Sequence, residues 1–196
     1  VGYEVVSDSV FSKISDTCTP QGVLCVLKQF HYNIEEMLRD KAPLFLLLEN
    51  IQDPGNLGTM LRTGEGAGVS GIIMSRDTVD LYNPKVIRST MGSIYRVPFY
   101  YADDFAAAVH QVQQAGVSVY AAHLRGKNSY ACQDYTKGTA FLIGNEGNGL
   151  REETAELADC YIRIPMEGKV ESLNAAISAT LLSYEVMRQR KRDRQN

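Results

Sequence analysis

Short apolar runs alternate with helical patterns along this chain, and that alternation limits its possible folds more than any other feature. The runs that read as strands are residues 23–27, 44–48, 71–74, 117–121, 140–143 and 161–164. The helical patterns between them begin near Asn56, Pro84, Asp103, Leu150 and Leu173. Such repetition predicts an α/β fold with a mostly parallel sheet flanked by helices.

Composition excludes several classes of protein. The chain of 196 residues is 44% hydrophobic and 22% charged, as in an ordinary globular domain. Its longest apolar run, residues 44–48, is far shorter than the roughly 20 residues of a membrane helix, and we expect a cytoplasmic protein. The net charge of −3 leaves no overall basic excess. Any contact with a nucleic acid would therefore come from local patches.

The four cysteines do not form a recognisable metal-binding pattern. Cys18, Cys25, Cys132 and Cys160 lack CxxC spacing and are not clustered with histidines. Their spacing fits reduced, mostly buried thiols better than disulfides or metal ligands. We therefore predict no metal site.

The two ends of the chain differ from its middle. Residues 1–30 end in a strand-like run that no complete strand–helix unit precedes. Residues 31–42 are polar and helical in pattern, with Ile34, Met37 and Leu38 on one side, and read as a connector to a main domain at 43–196. The basic C-terminal stretch RQRKRDRQN is either a solvated tail or a phosphate contact.

The stretch NIQDPGNLGTMLRTGEGAG, residues 50–68, predicts a turn followed by a helix with Asn56 at its N-cap. Arg62 falls on the polar face of that helix, away from the core. A glycine inside a helix costs up to about 1 kcal/mol relative to alanine. Three glycines within residues 64–68 therefore indicate a helix that packs closely on the sheet and ends near Gly66 or Gly68. A cap and a solvated cation remain the simplest interpretations of Asn56 and Arg62.

Two later segments combine strands with special turns. In FLIGNEGNGL, residues 141–150, a buried strand enters a glycine-rich loop that is neither a P-loop nor GxGxxG. Its Glu146 could simply lie near the N-terminus of the following helix, where the helix dipole favours a negative charge. In IRIPMEGKVESLN, residues 162–174, Pro165 stops a strand and Ser172 or Asn174 starts a long helix. The small side chains at the start of that helix fit close packing on another helix, in the same chain or in a second subunit.

Together the three segments resemble the SpoU (TrmH) family of RNA ribose 2′-O-methyltransferases, in the SPOUT superfamily. The family pattern NxxxxxR is present from Asn56 to Arg62, GxEGxG from Gly144 to Gly149, and IPMxGxVxSLN from Ile164 to Asn174. They occur in the family's order over residues 44–190. Residues 15–27 also resemble the end of a small RNA-binding domain like ribosomal protein L30e. Residues 1–30 are therefore expected to be a remnant of such a domain.

The resemblance implies a C-terminal trefoil knot and S-adenosylmethionine (AdoMet) as the cofactor. The positions that match the family's cofactor-binding residues are Gly144, Ile164 and Leu173, with the loop at 122–126 as a further wall. The positions that match its catalytic or substrate-site residues are Asn56, Arg62, Glu146, Ser172 and Asn174. The family's favoured residue for activating the ribose hydroxyl matches Arg62. An arginine stays protonated in proteins, so a nearby RNA phosphate would have to help, or the role would be electrostatic.

The resemblance also implies a homodimer that acts on RNA, ribosomal RNA more than transfer RNA. One alternative is a non-catalytic RNA-binding or ribosome-assembly module on the same fold. Another is a nucleotide-dependent oxidoreductase, which the alternation of strands and helices alone would allow. That enzyme class needs GxGxxG after its first strand, where this chain has QDPGNLG.

Overall fold

The computed structural model describes residues 2–15 and 17–193, and these divide into two compact units between residues 30 and 31. The helices are α1 (Asp8–Ile14), α2 (Ile34–Met37), α3 (Pro54–Ala67), α4 (Pro84–Ser89), α5 (Phe105–Gln114), α6 (Glu152–Ala155) and α7 (Ala175–Asp193). The strands are β1 (Leu44–Leu48), β2 (Gly71–Ser75), β3 (Phe99–Ala102), β4 (Ser118–Ala122), β5 (Asn128–Ser129), β6 (Thr139–Ile143) and β7 (Cys160–Arg163). Short 3₁₀ helices occupy Ser93–Tyr95 and Tyr130–Cys132.

The larger unit is built on one parallel sheet, which confirms the predicted α/β fold. Its seven strands lie in the order β3-β2-β1-β6-β4-β7-β5. The chain runs from β1 to β2 and β3 on one side, and the later strands lie on the other. The direction in which the chain adds strands therefore reverses between β1 and β6. Open α/β sheets bind ligands at the carboxyl ends of the strands at such a reversal. The C-terminal trefoil knot stays a prediction.

The core lies on both faces of the central strands. Every residue of β1 and β6 is buried, as expected for strands covered on two sides. Phe45 and Leu47 belong to a cluster that includes Ile34 and Met37 of α2. The apolar side of the predicted connector therefore packs into the larger unit, while the division into domains at residues 30 and 42 stays a prediction.

One predicted strand was wrong, and two observed strands were not predicted. Residues 23–27 form no strand, and Val23 and Val26 are 77% and 91% exposed. An apolar run becomes a strand only when a neighbouring strand takes its backbone hydrogen bonds, and none does so here. The sequence pattern also missed β3, which follows a 3₁₀ turn, and β5, which has two polar residues.

The prediction about the cysteines was partly wrong. All four are free thiols, but three are exposed and Cys160 is half-buried. Two of them, Cys18 and Cys25, lie in the smaller unit, where α1 has no buried residue. A unit without a core cannot bury its cysteines.

Helix α3 carries the first motif and corrects the predicted cap. Asp53, not Asn56, is the N-cap, because its carboxylate accepts from the backbone N–H of Asn56 at 2.7 Å. The helix ends at Ala67, within the predicted range, and Gly68 adopts the left-handed conformation with φ 81°. Gly64 faces the sheet as predicted, since a Cβ there would lie 3.8 Å from a methyl carbon of Leu46 on β1, whereas Gly66 allows close packing on a helix. A Cβ at Gly66 would lie 2.8 Å from the hydroxyl oxygen of Tyr184 on α7.

Helix α7 packs along α3 within the same chain. Asn174 is its N-cap, since its side-chain oxygen accepts from the N–H groups of Ala176 and Ile177 at 2.9 and 3.2 Å. Thr180 donates to Thr63 of α3 at 3.1 Å. The small side chains that are buried in this packing are Ala175, Ala176 and Ala179. Packing within one chain thus accounts for the smooth face of the helix.

The basic end of α7 is not a simple solvated tail. The guanidinium of Arg190 donates to the carbonyls of Ala42, Tyr135 and Lys137 at 2.7 to 3.0 Å. These bonds join the helix to the segments that precede β1 and β6. The last residues of the predicted tail, 194–196, lie outside the described residues.

Among the described residues no helix is long and apolar enough to cross a membrane.

Candidate active site

The carboxylate of Glu146 joins the first and second motifs. Its Oε1 accepts from the backbone N–H of Asp53 and from the Asn56 side chain, each at 3.0 Å, and its Oε2 accepts from the N–H of Gln52 at 3.2 Å. Glu146 follows β6, whereas Gln52 and Asp53 form the turn after β1. Because β1 and β6 are neighbours, their carboxyl ends bring the two loops together.

The side chain of Asn56 joins the third motif to the other two. Its oxygen accepts from the Asn174 side chain at 2.9 Å, while its NH₂ group donates to Glu146. The orientation of both amides follows from their neighbours. A carboxylate only accepts, so the NH₂ group of Asn56 must face it, and the oxygen of Asn174 is engaged by the N–H groups of α7. We call this chain of Asn174, Asn56 and Glu146 the motif network.

Glu146 is held in its ionised form. Burial alone would raise its pKa, but hydrogen bonds from Asn56 and from the N–H groups of Asp53 and Gln52 outweigh burial and lower the pKa below its ordinary value. An ionised carboxylate whose two oxygens accept three hydrogen bonds is poorly suited to transfer protons. Its chemistry fits positioning of the turn and of Asn56.

The glycine-rich loop is shaped by Asn145, which the motif analysis did not single out. Its NH₂ group donates to the carbonyl of Asn50 at 2.8 Å, and its oxygen accepts from the N–H groups of Gly147 and Asn148 at 2.9 and 3.0 Å. The loop closes so tightly that a Cβ at Gly144 would lie 2.2 Å from the Gly149 carbonyl carbon. Only glycine permits this approach.

Glu49 is a second residue that the sequence analysis missed. It is 2% exposed at the end of β1 and accepts from the backbone N–H of Arg151 at 2.8 Å and from the hydroxyl of Thr154. The guanidinium of Arg151 in turn pairs with Asp77. These contacts fix the far end of the glycine-rich loop. An isolated acidic residue after a strand carries no signal of this role in the sequence, because its partners lie about a hundred positions away.

A cavity of about 330 Å³ opens beside the motif network. Loops that follow β4, β6 and β7 form its walls. Three of its lining residues, Gly144, Ile164 and Leu173, are the predicted cofactor-binding residues, and Glu146 and Ser172 line it as well. The predicted loop at 122–126 contributes Ala122, His123 and Leu124. The volume suits a small cofactor, and apolar side chains beside a polar loop match the two halves of AdoMet, a flat base and a charged amino acid.

His123 is a polar lining residue whose role the sequence did not indicate. Its Nδ1 accepts from the N–H of Arg125 at 3.1 Å, and its ring stacks on Tyr161 with centroids 5.1 Å apart. Burial, followed by the nearby charge of Arg125, lowers the pKa of His123 below its ordinary value. The neutral ring therefore presents Nε2–H as its remaining donor.

Arg62 stands apart from the other predicted site residues. It is exposed on α3, and it makes no hydrogen bond or ion pair with any residue in the described ranges. It follows Asn56 by six residues, or about 9 Å along the helix axis, and does not line the cavity. The structure thus brings Asn56, Glu146 and Asn174 into direct contact, places Ser172 at the cavity, and leaves Arg62 without a partner among the residues that it describes.

Comparison with known proteins identifies the family. The model of the SpoU rRNA Methylase family matches residues 43–184. The chain belongs to this family. The match covers all three motifs, the motif network and every lining residue of the cavity, so it concerns the part of the chain that carries the candidate site.

Several relatives are similar over nearly the whole chain. The 23S rRNA (guanosine(2553)-2′-O)-methyltransferase RlmP of Bacillus subtilis is 34% identical, over 93% of this chain and 71% of its own length. A 23S rRNA (guanosine-2′-O-)-methyltransferase, RlmB of Neisseria meningitidis, is 32% identical, over 90% and 72%.

Solved structures show the same similarity. An AdoMet-bound rRNA methyltransferase from Sinorhizobium meliloti has a TM-score of 0.84 and 35% identity, over 93% of this chain and 70% of that one. The SpoU methyltransferase AviRb from Streptomyces viridochromogenes has a TM-score of 0.78 and 30% identity, over 84% and 66%.

The predicted family is confirmed, and with it the enzyme class, an AdoMet-dependent RNA methyltransferase. The roles of individual residues stay predictions. The described part of the chain contains no group of three or more His, Cys, Asp or Glu side chains that could hold a metal ion, and the absence of a metal likewise stays a prediction.

Proposed function

We propose that this protein transfers a methyl group from AdoMet to a ribose 2′-hydroxyl of ribosomal RNA. The observation that carries the proposal is the motif network, in which Asn174, Asn56 and Glu146 from three distant segments meet beside the cavity. The similarity to two 23S rRNA 2′-O-methyltransferases supports ribosomal RNA over transfer RNA. Such a substrate fits the predicted cytoplasmic location.

The cofactor would lie in the cavity. Gly144, Ile164 and Leu173 would hold it, largely through backbone groups, because the tight loop at Gly144 leaves no space for a side chain. Bound AdoMet supplies an electrophilic methyl group on a sulfonium. The task left to the protein is to align a 2′-oxygen with that methyl group and to ease the loss of its proton.

Arg62 would activate the hydroxyl. Its guanidinium has five donors, and none is bound to another described residue. It can therefore bind an RNA phosphate while stabilising negative charge that develops on the ribose oxygen. Because it stays protonated, it is not itself the base, and the neighbouring phosphate is the group that takes the proton.

The motif network would position the substrate. Asn56, Glu146 and Asn174 are already joined to one another, so they hold the start of α3 and the start of α7 in fixed relation. Ser172 lines the cavity three residues before α7 and is free to contact the ribose or the cofactor. These side chains would act by hydrogen bonding and not by proton transfer.

The enzyme would work as a homodimer. Ile177, Leu181 and Tyr184 lie at i, i+4 and i+7 on α7 and remain 52%, 37% and 41% exposed. Their spacing places them on one face of the helix, next to the face that packs on α3. A second copy of the chain would bury this stripe. Sedimentation should show a dimer at micromolar concentration, and a Leu181→Asp variant should be monomeric; a monomeric wild type would contradict the proposal.

The proposed activity can be tested in cells that lack the full-length gene. Mapping of 2′-O-methyl groups should show one site lost from ribosomal RNA, restored by the wild-type gene and not by an Arg62→Ala gene. An unchanged methylation map in both ribosomal and transfer RNA would contradict the proposal. It would favour the non-catalytic module on the same fold.

A further inference from the structure

A polypeptide segment that begins at the last residue of α4 crosses the surface of α3. It begins at Ser89, whose hydroxyl donates to the Pro54 carbonyl at 3.2 Å. The two elements touch at Gly58, where an added Cβ would lie only 1.7 Å from the Ser89 hydroxyl oxygen. The close contact at Gly58 therefore fixes where the segment starts.

The same segment is attached again further along α3. Glu65 accepts from the Ser93 hydroxyl at 2.5 Å and pairs with the Arg96 guanidinium. Positions 58, 62 and 65 have the i, i+4, i+7 spacing of one helix face. Arg62 thus lies on the stripe between the two attachment points, beside the part of the segment that joins them.

The joining turn, residues 90–92, has an unusual backbone. Met91 has φ 51°, a left-handed conformation that side chains other than glycine rarely adopt, and Gly92 follows with φ 87°. The Met91 side chain is 69% exposed. A strained turn that presents an apolar side chain to solvent, in the segment attached to α3 at Gly58 and Glu65, indicates a surface shaped for contact.

The surroundings of this turn are basic. Arg88 directly precedes Ser89, is exposed, and makes no side-chain hydrogen bond or ion pair within residues 2–15 and 17–193. Ser89 contacts Gly58, which lies one helical turn, about 6 Å, from Arg62 along the axis of α3. Arg88 is the neighbour of Ser89, so the guanidiniums of Arg62 and Arg88 can reach one strand of RNA. The nearby carboxylate of Glu65 is already paired with Arg96, which lowers the pKa of Glu65 through that hydrogen bond.

We propose that Arg62, Arg88 and Met91 form a groove that binds the RNA strand carrying the target ribose. The two guanidiniums bind its phosphates, and Met91 packs against an exposed base, as apolar and aromatic side chains do in single-stranded RNA recognition. A second copy of this chain is a poor occupant, because it would bring like charges together. The inference rests on the proposed function, which it extends to a surface outside the three motifs.

Binding of a fluorescein-labelled, short single-stranded RNA of mixed sequence tests the groove. The variants are Arg88→Gln and Met91→Gly, with Arg39→Gln as the matched control. Arg39 follows α2, whose Ile34 and Met37 pack with Phe45 and Leu47 on one face of the sheet, whereas α3 lies beside Leu46 on the other face. Met91→Gly removes the side chain from a left-handed position, so the fold should be retained. Each variant should bind AdoMet as the wild type does.

Affinity is measured as a function of salt between about 50 and 200 mM. Arg88→Gln should weaken binding several-fold and reduce the slope of log K against log salt by about 0.7, the value for one phosphate contact on a single strand. Met91→Gly should weaken binding at least about threefold without changing the slope, because it removes a contact to a base. Arg39→Gln should leave both quantities unchanged.

Two outcomes would overturn the groove: wild-type binding by Arg88→Gln and Met91→Gly, or an equal loss in Arg39→Gln. Methyl transfer by the same wild-type preparation to an unmodified 23S rRNA transcript separates this inference from the proposed function. If the wild type transfers the methyl group and the groove variants bind RNA normally, the groove is refuted and the proposed function is not. Weakened RNA binding by those variants with no transfer by the wild type supports the groove and refutes the proposed reaction.

Discussion

The first and third turns of α3 differ in how they use polar side chains. In the first turn, both polar atoms of the Asn56 amide are bound, to Glu146 and Asn174. In the third turn, the guanidinium of Arg62 binds nothing in the described part of the chain. An arginine loses considerable rotamer entropy when it is ordered. The comparison teaches that the protein fixes the framework of the site itself and leaves the ordering of Arg62 to its substrate.

The largest predicted effect concerns the free side chain. Arg62→Ala should lower the methyl-transfer rate by about 10³-fold, as loss of a charge-stabilising donor does in other enzymes. The free energy of unfolding should change by less than about 0.5 kcal/mol, because the side chain is exposed and pairs with no residue that the structure describes. Single-turnover rates and chemical denaturation measure the two quantities. A normal rate with normal AdoMet binding would refute the role of Arg62.

Compared with Arg62→Ala, Glu146→Gln should cause a larger loss of stability and a smaller loss of activity. An amide in place of the carboxylate turns an NH₂ group towards one of the three bound donors, so the turn after β1 loosens. We expect a loss of about 1–2 kcal/mol in unfolding free energy and a roughly 10- to 100-fold slower transfer. Glu156→Gln, an exposed carboxyl directly after α6, is the control and should change neither. Stability equal to wild type in Glu146→Gln would argue against the motif network.

A double-mutant cycle on Asn56 and Asn174 isolates the hydrogen bond between the two asparagines of the motif network. Each alanine substitution should destabilise the protein by about 1 kcal/mol, partly because Asn174 also caps α7. The coupling energy between the two should be about 0.5–1 kcal/mol. Strict additivity in denaturation experiments would mean that the contact contributes nothing.

The smallest effect is a dependence of stability on pH. Because the pKa of Glu146 is lowered in the folded protein, its contribution is present above the unfolded value, 4.5, and is lost as pH falls through the folded value. The difference in unfolding free energy between wild type and Glu146→Gln should therefore shrink below pH 4.5. A difference that stays constant down to acid pH would mean that the carboxylate is not preferentially ionised in the fold.

The buried strands and helix ends could be predicted from the sequence because their signals are local. Residues 44–48 matched β1 at both ends, and Gly68 ended α3 as a glycine in the left-handed conformation does. The cap was misplaced by three residues because Asp53 and Asn56 are both good caps. Only the folded chain shows that Asp53 accepts from the backbone of Asn56, while the Asn56 side chain is bound elsewhere. Residues 23–27 failed because strand formation depends on a partner strand that a local pattern cannot reveal.

The site was predictable from its three motifs, but its internal chemistry was not. The motifs identified Glu146 and Asn174 without showing that Asn56 lies between them as a two-sided bridge. Glu49 and Asn145 left no signal, because their importance depends on partners brought near by the order of β1 and β6 in the sheet. Contacts between residues roughly a hundred positions apart become visible only in the folded chain.

The most direct test of the account is the chemical identity of the product. An unmodified 23S rRNA transcript incubated with the protein and AdoMet would be digested to nucleosides and analysed by mass spectrometry. The account predicts one nucleoside carrying its methyl group on the ribose 2′-oxygen, formed by the wild type and almost absent with Arg62→Ala. A methyl group on a base, or an equal yield from Arg62→Ala, would contradict it.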